Sequence, residues 1–138
     1  MDDSVNDNAC LNLHIDEFND LNIQEKGSFS IFYMNSRSLC GHFYDIQDFL
    51  STLSHDFTIY GFTETWFRGA PPPYVNMMNY SLVHSSRSLK IGGGVAMFIH
   101  KSLSYHVRDD LMPISNDYEC VFIEIERDQA CNLIVGNI

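Results

Sequence analysis

The chain has 138 residues, of which 45% are hydrophobic, and it includes ten Phe and seven Tyr. This length and composition are typical of one folded domain with a sizeable core, and they exclude an intrinsically disordered chain. The formal net charge of −10 is unusual for a protein that binds nucleic acid, so its distribution along the chain matters.

The charge divides the chain into two parts. Residues 1–28 carry seven acidic residues and one basic residue, whereas residues 29–138 carry eleven acidic and seven basic residues.

The four Cys are widely spaced, without a C-x-x-C pair, so we expect neither zinc nor a disulfide framework. No apolar run approaches the roughly 20 residues of a membrane span, and the first residues lack a secretory signal. We therefore expect a nuclear or cytoplasmic protein that is not secreted and does not contact a membrane.

The first half of the chain predicts a leader followed by a strand, a helix and a strand. Residues 1–28 are polar and lack a sustained apolar pattern, so we expect a flexible acidic leader. A β-rich run over 29–34 ends at Asn35, apolar spacing predicts a helix over about 42–54, and a second strand over 57–62 stops just before Glu64. Strands joined in this way are expected to pair in parallel, with a right-handed crossover.

The second half predicts further strands separated by turns. The expected strands are 80–84, 95–99, 120–125 and 132–138. A proline-containing loop is predicted over 65–79, a polar turn over 85–90 and a hairpin turn over 127–130. Gly92-Gly93-Gly94 opens a strand and lacks the Gly-Lys-Ser/Thr ending of a phosphate-binding loop, so it predicts a tight turn with close backbone packing.

Two polar residues at the ends of the first two strands form the main candidate site. Parallel strands end at the same edge of a sheet, where α/β proteins bind ligands, so Asn35 and Glu64 are expected side by side. A carboxylate suits Mg²⁺, a hard ion that keeps several waters, and the Asn amide can hydrogen-bond a phosphate oxygen. Arg37 and Arg87 lie in predicted loops and are candidate contacts for substrate phosphates. The alternative interpretation is an exposed acid at a strand end and an Asn that forms a turn.

Several short motifs between about Phe29 and Ile138 occur in a recognisable order. They are Met34-Asn35-Ser36-Arg37-Ser38-Leu39, Thr63-Glu64-Thr65-Trp66-Phe67, Arg87 with Gly92-Gly93-Gly94-Val95-Ala96, Glu119 before a strand, and Val135-Gly136-Asn137-Ile138. Together they resemble the endonuclease domain of non-LTR retrotransposons. That domain belongs to the endonuclease/exonuclease/phosphatase superfamily, which includes the apurinic endonucleases.

The resemblance implies a fold, a reaction and roles for named residues. The implied fold is a four-layered α/β sandwich with a mixed sheet and outer helices, of which 29–138 would form the N-terminal, incomplete part. The implied reaction is hydrolysis of a DNA phosphodiester with Mg²⁺, or Mn²⁺ in its place. Glu64 matches the Mg²⁺-binding glutamate and Asn35 the active-site asparagine. Apurinic endonucleases carry an acid where Arg37 stands, which favours the retrotransposon branch.

The resemblance also implies that part of the family's active site follows the position matched by Ile138. The groups concerned are a tyrosine, an Asp-x-Asn pair and a terminal Ser-Asp-His group. We therefore expect a fragment of a Mg²⁺-dependent DNA-nicking endonuclease that binds DNA weakly and is inactive alone. Two alternatives stay open. One is a non-catalytic interaction or remnant domain that self-associates through an unpaired sheet edge, and the other is a phosphatase of the same superfamily.

Overall fold

Two β-sheets and two helices make up the described parts of the chain. The computed structural model describes residues 10–21, 23, 29–87, 92–112 and 118–138. The helices are α1 (Ile15–Asp20) and α2 (Leu39–Ser51), with a short 3₁₀ turn at Asp109–Leu111. The strands are β1 (Ile31–Asn35), β2 (Ile59–Thr63), β3 (Tyr80–Ser85), β4 (Val95–His100), β5 (Tyr105–Val107), β6 (Val121–Ile125) and β7 (Leu133–Asn137). Neither of these helices is long and apolar enough to cross a membrane.

The first sheet has the strand order β1-β2-β4-β3. Strands β1 and β2 are parallel, whereas β4 pairs antiparallel with both β2 and β3, so the sheet is mixed. The parallel pairing expected from the strand–helix–strand pattern is confirmed. Its register places Asn35 opposite Thr63, so Asn35 and Glu64 lie at the same edge of the sheet.

Helix α2 covers one face of this sheet through an apolar stripe. Leu39, Phe43 and Ile46 are buried against side chains of the sheet that include Phe62 and Phe98. The helix starts three residues earlier than the predicted 42. The helix starts early because the Ser38 side chain accepts a hydrogen bond from the Gly41 N–H, which caps the first helical turn.

The second sheet, with the order β5-β6-β7, is antiparallel and packs on the other face of the first. Its inner side chains meet those of β2 and β4 in a core made of Ile59, Val95, Met97, Ile99, Val121, Ile123 and Ile125. The described residues therefore form three layers, one helical and two of sheet. The α/β class and the mixed sheet are confirmed. Across the described ranges no helix covers the outer face of the second sheet, so that outer layer of the predicted four is not seen.

Most predicted strands are present with boundaries shifted by one or two residues. The expected hairpin turn at 127–130 does connect the antiparallel strands β6 and β7. Strand β5 and the 3₁₀ turn after it were not predicted, because three residues are too few to show an alternating pattern. The expected polar turn at 85–90 falls in part on 88–90, which lie outside the described residues.

Part of the predicted leader contacts the body of the protein. Helix α1 begins after His14, whose backbone N–H donates to the Glu17 carboxylate at 2.7 Å. The Phe18 ring stacks on Phe57 with ring centroids 6.0 Å apart. The Asn19 side chain bonds the backbone just beyond α2, donating to one carbonyl at 2.9 Å and accepting from one N–H at 2.7 Å. The described part of the leader is thus attached, while the domain boundary at residue 29 stays a prediction.

Asn137 links the two sheets at the end of β7. Its side-chain amide is buried and donates to the carbonyls of Phe62 and Ala96, both at 3.0 Å. Those two residues face each other on β2 and β4. One amide therefore ties the second sheet to both central strands of the first, close to the edge that carries Glu64.

We expect Asn137→Ala to lower the free energy of unfolding by about 1–3 kcal/mol, because two buried hydrogen bonds are lost. Urea denaturation followed by circular dichroism measures this loss. Asn132→Ala is the matched control, since the exposed Asn132 amide bonds only the Glu124 carboxylate among the described residues, and we expect a change within about 0.5 kcal/mol. Equal losses for the two variants would contradict this role of Asn137.

Candidate metal centre

The loop after β1 is joined to the residues that end β2. The Ser36 N–H donates to the Thr63 carbonyl at 2.9 Å, and the Ser38 N–H donates to the Glu64 carbonyl at 2.7 Å. The Ser36 hydroxyl also donates to the Thr63 carbonyl at 2.8 Å. These bonds continue the contact between the two segments past the last paired residues of the strands, so the backbone around Glu64 is held on the β1 side.

The glycine turn before β4 holds the same segment from the opposite side. The N–H groups of Thr65 and Trp66 donate to the carbonyls of Gly94 and Gly93, at 3.2 Å and 3.0 Å. Gly92, Gly93 and Gly94 all have positive φ, between 71° and 92°, a conformation that glycine adopts at little cost. A Cβ on Gly94 would lie 2.5 Å from the Thr65 hydroxyl oxygen. The predicted tight turn with close backbone packing is confirmed.

Strained backbone is concentrated at this edge. Four non-glycine residues have positive φ here, namely Arg37 at 40°, Ser38 at 84°, Glu64 at 55° and Trp66 at 56°. Each such residue costs of the order of 1 kcal/mol and persists only where the surroundings hold it. The hydrogen bonds between the three segments supply that restraint. Such strain is typical of functional sites and supports a functional assignment for this edge.

The Glu64 carboxylate is held by two donors on one of its oxygens. Oε2 accepts from the Trp66 indole N–H at 2.8 Å and from the Gly93 N–H at 3.0 Å. These hydrogen bonds, the Trp66 bond first, hold the pKa of Glu64 below its ordinary value of 4.5, and the positive charge of Arg87 adds to the effect. The carboxylate is therefore ionised at neutral pH, and Oε1 has no hydrogen-bond donor among the described residues.

This arrangement fits a hard divalent cation. Mg²⁺ prefers oxygen ligands, keeps several waters, and can be held by one or two carboxylates. Glu64 offers an ionised oxygen whose partner oxygen is already fixed, so the free oxygen has a defined direction. Nowhere in the described ranges do three or more His, Cys, Asp or Glu side chains cluster as a metal cage would require. The site suits a largely hydrated ion bound through Glu64.

Asn35 lies at the same edge but bonds its own loop. Its side-chain oxygen accepts from the Arg37 N–H at 3.1 Å, a local turn that also shapes the strained backbone at Arg37. The Asn35 side chain is exposed and shares a sheet face with Thr63 and Tyr33, whose hydroxyls lie 3.0 Å apart. The structure thus brings Asn35 and Glu64 to one edge, while the Glu64 carboxylate turns towards the glycine turn on the β4 side.

The two predicted phosphate contacts lie in different surroundings. Arg37 is exposed in the loop between β1 and α2. Arg87 forms an ion pair with Glu119, and its guanidinium is close enough to Glu64 to lower the pKa of that carboxyl group. Their roles as substrate contacts stay predictions.

Three groups at this edge received no role from the sequence. Trp66 and the Gly93 N–H hold the Glu64 carboxylate, and Glu119 pairs with Arg87. The Trp two residues after Glu64 was visible as a motif, and so was the acid before β6. Nothing in the sequence indicated that a backbone N–H from a turn 29 residues later would meet the Glu64 carboxylate.

The described architecture resembles, in part, a known class of α/β fold. A mixed sheet covered by a helix on one face and by an antiparallel sheet on the other, with an acid at a central strand end, partly resembles the endonuclease/exonuclease/phosphatase fold. A solved member with a similar fold is the 3′ phosphatase NExo from Neisseria, in a structure bound to product DNA hairpin. The TM-score is 0.56 and the sequence identity 18%, over 78% of this chain and 40% of that chain.

The similarity to NExo supports the fold of this chain but not a function for it. No protein-family model matches the sequence, and no curated protein matches it. The chain spans about two fifths of the length of the NExo chain that it matches, and the identity is too low to carry residue roles across. The functional assignment must therefore come from the site.

We expect Trp66→Phe to raise the pKa of Glu64 towards 4.5, because it removes the stronger of the two hydrogen bonds. The folded-state pKa lies below the ordinary one, so this carboxylate stabilises the fold above pH 4.5, and the stabilisation is lost as the pH falls through the folded-state value. Carbon-detected NMR titration of the carboxyl groups measures the shift. Glu126, which bonds Ser104 and His106 instead, should titrate unchanged and serves as the control. An unaltered pKa for Glu64 would contradict the assigned cause.

Proposed function

We propose that this chain provides the metal-binding corner of a Mg²⁺-dependent DNA endonuclease of the endonuclease/exonuclease/phosphatase kind. The observation that carries the proposal is the Glu64 carboxylate, fixed through Oε2 at the end of a central strand with Oε1 available. The order of the sequence motifs supports an origin in a mobile element of the non-LTR type. A DNA substrate also agrees with the nuclear or cytoplasmic location expected from the sequence.

Three residues at this edge would have different roles, in binding the ion and in binding phosphate. Glu64 would hold the ion, which when bound neutralises phosphate charge and polarises the phosphoryl group. Asn35, at the neighbouring strand end, presents an amide nitrogen that can donate to a phosphate oxygen while its side-chain oxygen keeps the bond from the Arg37 N–H. The exposed Arg37 guanidinium suits a phosphate of the DNA backbone, because its planar donors match phosphate geometry.

Fold likeness favours nucleic acid as the substrate class. NExo has a similar fold and was solved bound to product DNA hairpin. The net charge of −10 opposes non-specific binding to DNA. We therefore expect weak DNA binding that depends on the few basic side chains at the Glu64 edge and on the divalent ion.

We propose that the chain alone does not hydrolyse DNA at a useful rate. Hydrolysis needs a base that activates water and groups that stabilise the developing charge on phosphorus. Glu64 and Asn35 can bind and orient without supplying either function.

A second candidate activity is removal of a 3′ phosphate from DNA. The observation that favours it is the likeness to NExo, which is described as a 3′ phosphatase. Both activities use a metal-bound phosphate, and they differ in whether that phosphate is terminal. A DNA hairpin with a 3′ phosphate that binds much more tightly than the same hairpin with a 3′ hydroxyl would favour the phosphatase.

We expect Mg²⁺ or Mn²⁺ to stabilise the folded chain, and Glu64→Gln to abolish that effect. A metal concentration about ten-fold above its Kd should add about 1.4 kcal/mol to the free energy of unfolding. Calorimetric titration and thermal unfolding with and without the ion measure the binding. Asp45→Asn is the matched control, because Asp45 is an exposed acid on α2 that pairs only with His42 among the described residues.

The metal titration and a sedimentation experiment together separate this proposal from a non-catalytic interaction module. Within the described residues β7 pairs with β6 alone, so its other edge is open to a second strand. A chain that self-associates in sedimentation experiments and shows no response to either ion would contradict the metal assignment. Loss of the metal response in Asp45→Asn as well as in Glu64→Gln would also contradict it.

We expect Arg37→Ala to weaken binding of a DNA hairpin and to lower the salt dependence of binding by about one counterion. Fluorescence anisotropy at several salt concentrations, in the presence of Mg²⁺, gives both quantities. Arg127→Ala is the control, since Arg127 is exposed in the turn between β6 and β7, at the end of the second sheet opposite Asn137. Equal effects of the two substitutions would contradict a specific contact at the Glu64 edge.

A further inference from the structure

An ion pair lies behind the glycine turn that holds Glu64. The Arg87 guanidinium contacts the Glu119 carboxylate, and only 11% of the Glu119 side chain is exposed. Arg87 follows the end of β3 and Glu119 precedes β6, so the pair joins the two sheets. Among the described residues, the second carboxylate oxygen of Glu119 accepts a long hydrogen bond, 3.4 Å, from the Gly94 N–H.

Gly93 is placed between this ion pair and the candidate metal ligand. A Cβ on Gly93 would lie 3.1 Å from both the Arg87 Nε and the nearer Glu119 oxygen. The glycine therefore packs directly against the ion pair. On its other side the Gly93 N–H donates to the Glu64 Oε2. Two consecutive N–H groups of one turn thus serve two carboxylates, Gly93 for Glu64 and Gly94 for Glu119.

Arg87 bonds only one of the two carboxylates, and this leaves the Glu64 carboxylate available to an ion. Arg87 is the cation whose charge acts on both Glu64 and Glu119, but its hydrogen bond goes to Glu119. The guanidinium is therefore retained behind the turn and does not bond the carboxylate that faces the candidate ion. A cation held at this place supports the turn and leaves Glu64 Oε1 open.

We propose that Glu119 and Arg87 are positioning residues for the metal site, acting through the glycine turn. Together they hold the turn beside the end of β2, so that the Gly93 N–H stays hydrogen-bonded to the Glu64 carboxylate. Removal of either partner frees the turn, weakens that hydrogen bond and lowers the affinity for the ion. This inference rests on the proposed function for its metal readout, whereas the hydrogen bond at Gly93 can be measured without any metal.

The test uses the full chain with Glu119→Ala, Arg87→Met and the conservative Arg87→Lys. We expect the first two to increase amide hydrogen exchange at Gly93 and Gly94 and to weaken Mn²⁺ binding about five-fold, the equivalent of one hydrogen bond. Exchange at Phe62 and Phe98, inside the paired strands, should not change. Arg87→Lys keeps the charge and should restore most of both readouts, which a role in stability alone does not predict.

Glu124→Ala is the matched control, because Glu124 forms a second Arg–Glu pair on β6, with Arg108, away from the glycine turn. It should leave Mn²⁺ binding and Gly93 exchange unchanged. If Glu119→Ala does not fold, Glu119→Gln gives the same comparison with the side-chain volume kept. Unchanged exchange at Gly93 in Glu119→Ala or Glu119→Gln would overturn the inference. Absence of Mn²⁺ binding by the unmodified chain would overturn the proposed function while leaving the exchange result decisive for the turn.

Discussion

The hydrogen bond from the Gly93 N–H to the Glu64 carboxylate is the contact on which the candidate site depends. Without it, the Glu64 carboxylate would be held only by the Trp66 indole N–H and would no longer be tied to the glycine turn. The bond requires β4 to lie beside β2 and the glycine turn to take positive φ throughout. Sheet topology and turn conformation therefore act together to convert an ordinary residue type into a directed ligand.

The strain at this edge is offset by the packing beneath it. Backbone hydrogen bonds tie the ends of β1 and β2 to each other and to the glycine turn. The buried Asn137 amide fixes the two central strands to the second sheet a short distance below. A site assembled in this way is rigid because each of its segments is held from two sides, and rigid placement of a ligand favours metal binding over local rearrangement.

The sequence could predict the parts of the fold that follow from periodicity. The parallel pairing of β1 and β2 followed from two β-rich runs joined by an amphipathic segment, and it placed Asn35 and Glu64 at one edge. The start of α2 was missed because Ser38 caps the helix from a left-handed conformation. The partners of Glu64 were missed because its positive φ turns the side chain out of the strand's alternation. The pair Arg87–Glu119 joins residues 32 positions apart, which no local pattern reveals.

The attachment of α1 has a practical consequence for experiments on shortened chains. A boundary chosen from composition would start the protein near residue 29 and would discard Phe18 and Asn19. That cut would remove one aromatic neighbour of Phe57, and the backbone after α2 would lose the two hydrogen bonds that it makes with the Asn19 side chain. Expression of the body should therefore begin upstream of His14, so that an apolar surface is not uncovered and mistaken for a natural tendency to aggregate.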